Sequence, residues 1–146
     1  TFKPGKFDRV DIPSDCGQTE PATIELPAHS APLGLAFIPK AGGWPKEWRG
    51  DLLVAYHGSW NRSEPTGYKI VRFDVDKNGL NSGVSDFISG WLVPSNAEGL
   101  TPDGNSSAGS GQVRTLGRPV DLKFGSDSAL YISDDSAGVI YRITPK

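Results

Sequence analysis

Pro32-Leu33-Gly34-Leu35-Ala36-Phe37 and Pro119-Val120-Asp121-Leu122-Lys123-Phe124 read as one strand written twice. Each opens on proline and sets apolar residues at alternate positions (Leu33, Leu35, Phe37; Val120, Leu122, Phe124), the period of a strand with one buried face. The recurrence continues in order. Leu53-Val54-Ala55-Tyr56-His57 matches Leu130-Tyr131-Ile132-Ser133-Asp134, and Ile70-Val71-Arg72-Phe73 matches Ile140-Tyr141-Arg142-Ile143. An antiparallel meander of three or four short strands cannot bury both its faces alone, which is the physical situation of a β-propeller blade. The sequence therefore predicts an all-β fold with about two four-stranded antiparallel meanders.

The chain has 146 residues. Blades of about 40–50 residues in rings of about 4–8 blades make this two blades plus a leading segment, an incomplete ring. The expected layout is a leading segment over 1–31, a first blade over 32–93, a polar loop over 94–117 and a second blade over 118–146. In the first blade the apolar runs place strands around Leu33–Phe37, Asp51–His57, Tyr68–Val75 and Phe87–Val93. The second copy stops after its third strand. Phe7-Asp8-Arg9-Val10-Asp11-Ile12 alternates apolar and charged residues and is a candidate blade-completing strand, within the molecule or from a neighbour.

Composition agrees with short strands and turns: 18 glycines and 12 prolines disfavour long helices. With 15 Lys and Arg against 17 Asp and Glu, the net charge of −2 gives no electrostatic footprint for nucleic acid or anionic lipid. The apolar runs are too short for a membrane span, and no leader pattern is present. A lone cysteine, Cys16, excludes an internal disulfide and a cysteine-based zinc site. Methionine is absent, even at position 1, so a processed chain or a piece of a longer one is expected.

Several stretches together resemble the C-terminal part of the glucose/sorbosone dehydrogenases. They are Ala28-His29-Ser30-Ala31-Pro32-Leu33-Gly34, the run from Trp48 through His57-Gly58-Ser59-Trp60-Asn61-Arg62, Gly67-Tyr68-Lys69-Ile70-Val71-Arg72-Phe73, Gly117-Arg118-Pro119-Val120-Asp121, and Leu130 to Ile143. The resemblance implies exported, six-bladed propellers that oxidise sugars with pyrroloquinoline quinone and calcium, and hence a periplasmic or secreted location. It also implies that loops at the strand ends face the cofactor. The cofactor is a tricarboxylate that gains negative charge on reduction, so its site needs fixed cations and donors, and arginine's planar fork suits both. By this resemblance the cofactor-facing residues are His57, Asn61 and Arg62, after the second strand of the first blade, and Arg118, before the first strand of the second. Where some members carry a second arginine two positions later, this chain has Val120.

Each assignment has a bland reading beside the functional one: His57 and Arg62 lie at a long loop, Gly58 to Gly67, where exposed polar residues are ordinary. Asp121, Asp134 and Asp135 offer oxygen to a hard cation, although such acids more often cap turns. His29 either lines a sugar site or closes its own turn. Trp44, Trp48 and Trp60 either stack on a ligand or pack between blades. The sequons at Asn61 and Asn105 carry little weight. The family's general base, a histidine from the N-terminal half of the propeller, has no counterpart here: neither His29 nor His57 matches its motif. Two functions stand at this point. One is the C-terminal blades of a quinone-dependent sugar dehydrogenase; the other is a non-catalytic, propeller-derived ligand-binding or assembly module. The expected partners are a sugar or another small molecule and either further copies of the chain, as a homo-oligomer, or the remainder of a longer propeller, because two blades leave apolar faces and strand edges open.

Overall fold

The computed structural model describes residues 22–79, 81–94 and 113–145. The candidate strand Phe7–Ile12 lies outside them, as does 95–112. Four strands, β1 (Pro32–Phe37), β2 (Leu52–Tyr56), β3 (Lys69–Val75) and β4 (Asn81–Ile88), pair in chain order as an antiparallel meander. A small pair, β5 (Leu92–Pro94) and β6 (Val113–Thr115), follows, and β7 (Pro119–Phe124), β8 (Leu130–Asp134) and β9 (Val139–Ile143) form a second meander of three. Among the described residues a 3-10 turn at Lys46–Trp48 is the sole helical element, and no helix is long and apolar enough to cross a membrane. The all-β expectation holds, and every pairing is antiparallel.

The main core lies where the two meanders face each other. Leu53, Ala55 and Ile70 from the first sheet meet Leu122, Leu130 and Ile132 from the second, with Ile38, Trp44, Tyr68 and Trp91 at the margins. The cross-strand pairs Leu53↔Arg72 and Ala55↔Ile70 set this inner face, and the alternate pairs Val54↔Val71 and Leu52↔Phe73 set the outer one. On the outer face Val54, Tyr56, Val71 and Phe73 form a second cluster, partly covered by Ile24 and Leu26.

β1 corrects one expectation. Leu33, Leu35 and Phe37, expected between blade faces, are each more than half exposed, whereas Leu122 is buried and Val120 and Phe124 are half-buried. The register explains the difference, because Leu35 pairs with Val54 and Phe37 with Leu52, on the face turned away from the second sheet. What approaches β7 is Gly34: a Cβ there would stand 2.5 Å from the Asp121 Cα, so the two strands touch only because that side chain is absent. A second difference concerns the fourth strand, read at Phe87–Val93. The strand ends at Ile88, Gly90 takes a φ of +118°, and Trp91 leaves the first sheet to pack edge-on against Tyr141 of β9, 5.6 Å between centroids. The polar stretch 94–117 also contributes β6, whose three residues, Val-Arg-Thr, are too short to show a period.

Candidate functional site

β1 begins, β2 ends and β3 begins at one end of the first sheet; β7 begins, β8 ends and β9 begins at the matching end of the second. His57, the loop 58–67 that carries Asn61 and Arg62, Arg118 and Asp134–Asp135 therefore share one end of the molecule. The loop's stem is closed by backbone: His57 N–H donates to Ala31 O (3.0 Å), Gly58 N–H to Ser30 O (2.9 Å) and Ser59 N–H to Thr66 O (2.9 Å). Gly58 and Gly67 cross so closely that a Cβ on Gly67 would lie 2.6 Å from the Gly58 Cα, and one on Gly58 would enter the Tyr68 ring. Both glycines have positive φ, so other residues are excluded there twice over.

Arg118 joins the two sheets at this end. Its Nε donates to His57 O (3.1 Å), and one terminal nitrogen donates to Gly58 O and, at 3.4 Å, to Ser59 O. The guanidinium also lies over the Tyr68 ring, 5.2 Å from its centroid, and the Tyr68 hydroxyl donates to Ser59 O. The backbone of Arg118 is held in turn, because Asp134, buried to 3% exposure, accepts from Arg118 N–H (2.8 Å) and Ala137 N–H (2.8 Å). A second link runs between His57 Nε2 and Asp135 Oδ1, 3.0 Å apart. That hydrogen bond holds the Asp135 carboxyl below the usual carboxylate range.

The four residues picked out by resemblance thus occupy one end in two different states. His57 and Arg118 are half-buried and bonded into the scaffold, whereas Asn61 and Arg62 are exposed. Arg62 Nε donates to Glu64 O (3.2 Å) within its own loop. Tyr68 and Ser59, on which Arg118 and the loop are built, lie in the stretches that carry the resemblance, but sequence reasoning did not single them out as part of the site. His29 is exposed, in a turn at φ 64°. Trp44 and Trp48 pack in the fold as ring pairs with Phe124 and Phe87, while Trp60 is 74% exposed.

The donor set fits a polycarboxylate in part. Asn61 and Arg62 are exposed donors on the loop, whereas Arg118 already has three carbonyl acceptors there, so its part is chiefly to fix the loop. Calcium fits less well. Among the described residues no group of three His, Cys, Asp or Glu side chains could hold a metal ion, and the oxygens of Asp134 and Asp121 accept hydrogen bonds from backbone N–H groups.

Comparison with known proteins gives these residues a family. The profile described as TrAA12-like matches residues 12–146. An uncharacterized protein of Borreliella burgdorferi is 36% identical over 124 residues, covering 84% of this chain and 28% of that protein. A pyrroloquinoline quinone-dependent pyranose dehydrogenase of Coprinopsis cinerea is 31% identical over 129 residues, covering 83% of this chain and 16% of that enzyme. The solved holo form of the pyranose dehydrogenase PQQ domain from Coprinopsis cinerea is 29% identical, with a TM-score of 0.49, covering 78% of this chain and 26% of that one. The chain therefore spans less than a third of the curated relatives it matches. The relationship read from sequence is found more broadly than glucose/sorbosone dehydrogenases: by its match over 12–146, this chain belongs to the TrAA12-like family.

Proposed function

We propose that this chain supplies blades of a pyrroloquinoline quinone-dependent sugar dehydrogenase, of the aldose or sorbosone type, and that its end with His57, Asn61, Arg62 and Arg118 faces the cofactor. The observation that carries the reading is the pairing of fixed and exposed donors at one end, in a chain of this family. Arg118 and the glycine crossing hold the 58–67 loop, and Asn61 and Arg62 stand out from it. When bound, the quinone supplies the two-electron oxidant for the sugar. The chain's own contribution is charge and donors: Arg62 and Asn61 for the carboxylates, and His57, held by Asp135, as an imidazole at the rim. Calcium belongs to this reading only together with the quinone, and no residue of this chain is assigned to it. The periplasmic or secreted location belongs to the same proposal.

A second reading has its own support. With Arg118 bonded to carbonyls, the same end also suits a module that binds a ligand without turning it over. Titration separates the two. Apo protein given the quinone and calcium should shift the cofactor's absorption and then reduce a dye when an aldose is added. A shift without dye reduction supports the non-catalytic module, and no shift overturns the dehydrogenase reading and leaves a structural or assembly role.

Assembly is part of the proposal. Among the described residues, Leu33, Leu35, Phe37 and Val84 stand exposed at the margins of the outer face of the first sheet, around the cluster that Ile24 and Leu26 partly cover, and apolar surface of this kind is a candidate contact. We propose that further copies of the chain cover it, with the remainder of a longer propeller as the alternative occupant. Light scattering should give a mass above the 15.6 kDa monomer, falling to the monomer in Leu35→Asp; a stable wild-type monomer contradicts this.

A further inference from the structure

We infer that Trp60 is a stacking platform for a pyranose ring. The inference rests on the reading of this end as facing a sugar-oxidising centre and takes its ligand class from there; what it adds is the residue, which neither the family match nor the relatives assign.

At 74%, Trp60 is the most exposed large apolar side chain among the described residues, while Trp44 and Trp91 are buried. An indole in water is unfavourable without a partner. Its loop is nonetheless firmly built. Ser59, the residue before it, is 4% exposed, and all its backbone groups are bonded: its N–H to Thr66 O (2.9 Å), and its carbonyl to the Tyr68 hydroxyl and Arg118. Its Oγ accepts from Thr66 N–H (3.1 Å). Trp60 therefore projects from a fixed stem, so little conformational freedom is lost when a ligand covers it.

The neighbours define the ligand. Asn61, Arg62, Ser63 and Glu64 are all exposed and polar, so Trp60 is a single ring in a hydrophilic rim and lacks the apolar surroundings of a protein-docking core. A pyranose matches this pattern. One face of the sugar offers C–H groups to the indole, and its rim of hydroxyls faces the Asn61 amide and the Arg62 guanidinium.

The test uses the full-length protein, tryptophan emission and acrylamide quenching, with glucose and cellobiose as probes and the acyclic polyol sorbitol as control. The two sugars should give a saturable emission change and protect one tryptophan from quenching, and sorbitol should not. Trp60→Ala should raise the half-saturating concentration about tenfold or more, from the typical loss of one stacked ring, while Trp60→Tyr keeps most of the response. A response that is absent, equal in sorbitol, or unchanged in Trp60→Ala overturns the inference. Quinone binding, followed separately by the cofactor's absorption, should survive in Trp60→Ala; its loss would make Trp60 a quinone contact and also overturn it. If the wild type responds to sugar but binds no quinone, the proposed dehydrogenase role fails and the platform stands.

Discussion

The two ends of the sheets are built from similar residues and do opposite things with them. At the end where β1 finishes and β2 starts, Asp51 is 3% exposed and fully engaged: Oδ2 receives Arg72 (2.6 Å) and Oδ1 receives Val75 N–H (3.2 Å). Arg72 stacks on Trp48 (5.3 Å), and Trp44 Nε1 donates to Ser128 O (2.9 Å), so this acid, its arginine and both indoles are engaged within the fold. At the other end Arg118 and Asp134 do the same internal work, but Trp60, Asn61 and Arg62 are left facing water. The difference lies in the indoles: Trp44 and Trp48 pack against phenylalanine rings at the first end, whereas Trp60 stands in solvent at the second.

The sharpest break of this comparison is Asp51→Ala. Removing one partner of a buried pair leaves the other charge uncompensated, typically about 3–5 kcal/mol; chemical denaturation should show a loss of that size with quinone affinity unchanged in the protein that remains folded. Next comes Arg118→Ala. Losing charged hydrogen bonds to carbonyls and the contact with Tyr68 should lower stability by about 2–3 kcal/mol and weaken quinone binding together with it. Arg118→Lys should not restore either, because an ammonium cannot span the carbonyls of residues 57–59 as the fork does.

A smaller effect comes from pH. The Asp135 carboxyl is lowered in the folded state, mainly by the hydrogen bond with His57. Its contribution is therefore present above the unfolded carboxylate value, near 3.9, and is lost as pH falls below it. Asp127 is lowered by Arg142 in the same direction, on the outer face of the second sheet. Thermal melts between about pH 2 and 6 should thus show a shallower acid limb in Asp135→Asn than in wild type. Only this variant, and not Asp127→Asn, should also change the His57 ring shifts seen by NMR.

Much of the fold was legible because period and repetition are local signals. The strand around Val120 stands in its alternation, and those around Leu53, Ile70, Leu130 and Ile140 in short apolar runs that recur in the same order. The burial of β1 was not, since which face of Leu33-Gly34-Leu35 turns inward depends on the approach of β7 to Gly34, a tertiary fact. The break at Gly90 was hidden by the apolar pair Trp91-Leu92, which continues the pattern of one strand while packing against another sheet. At the site, resemblance located the right end but could not separate residues that hold the loop, such as Arg118, from those that stand out of it, such as Arg62. That division depends on which carbonyls lie within reach.

Arg62 therefore tests the central claim most directly. It is exposed and bonded only to its own loop's Glu64 carbonyl among the contacts described above, so Arg62→Ala should leave stability within about 0.5 kcal/mol of wild type. Quinone titration of wild type and Arg62→Ala, read by the cofactor's absorption, should give binding in the first and about a tenfold or greater loss in the second, the size of a charge-assisted hydrogen bond. Wild-type protein that leaves the quinone spectrum unchanged, or an Arg62→Ala variant that binds as tightly as wild type, contradicts the assignment of this end to the cofactor.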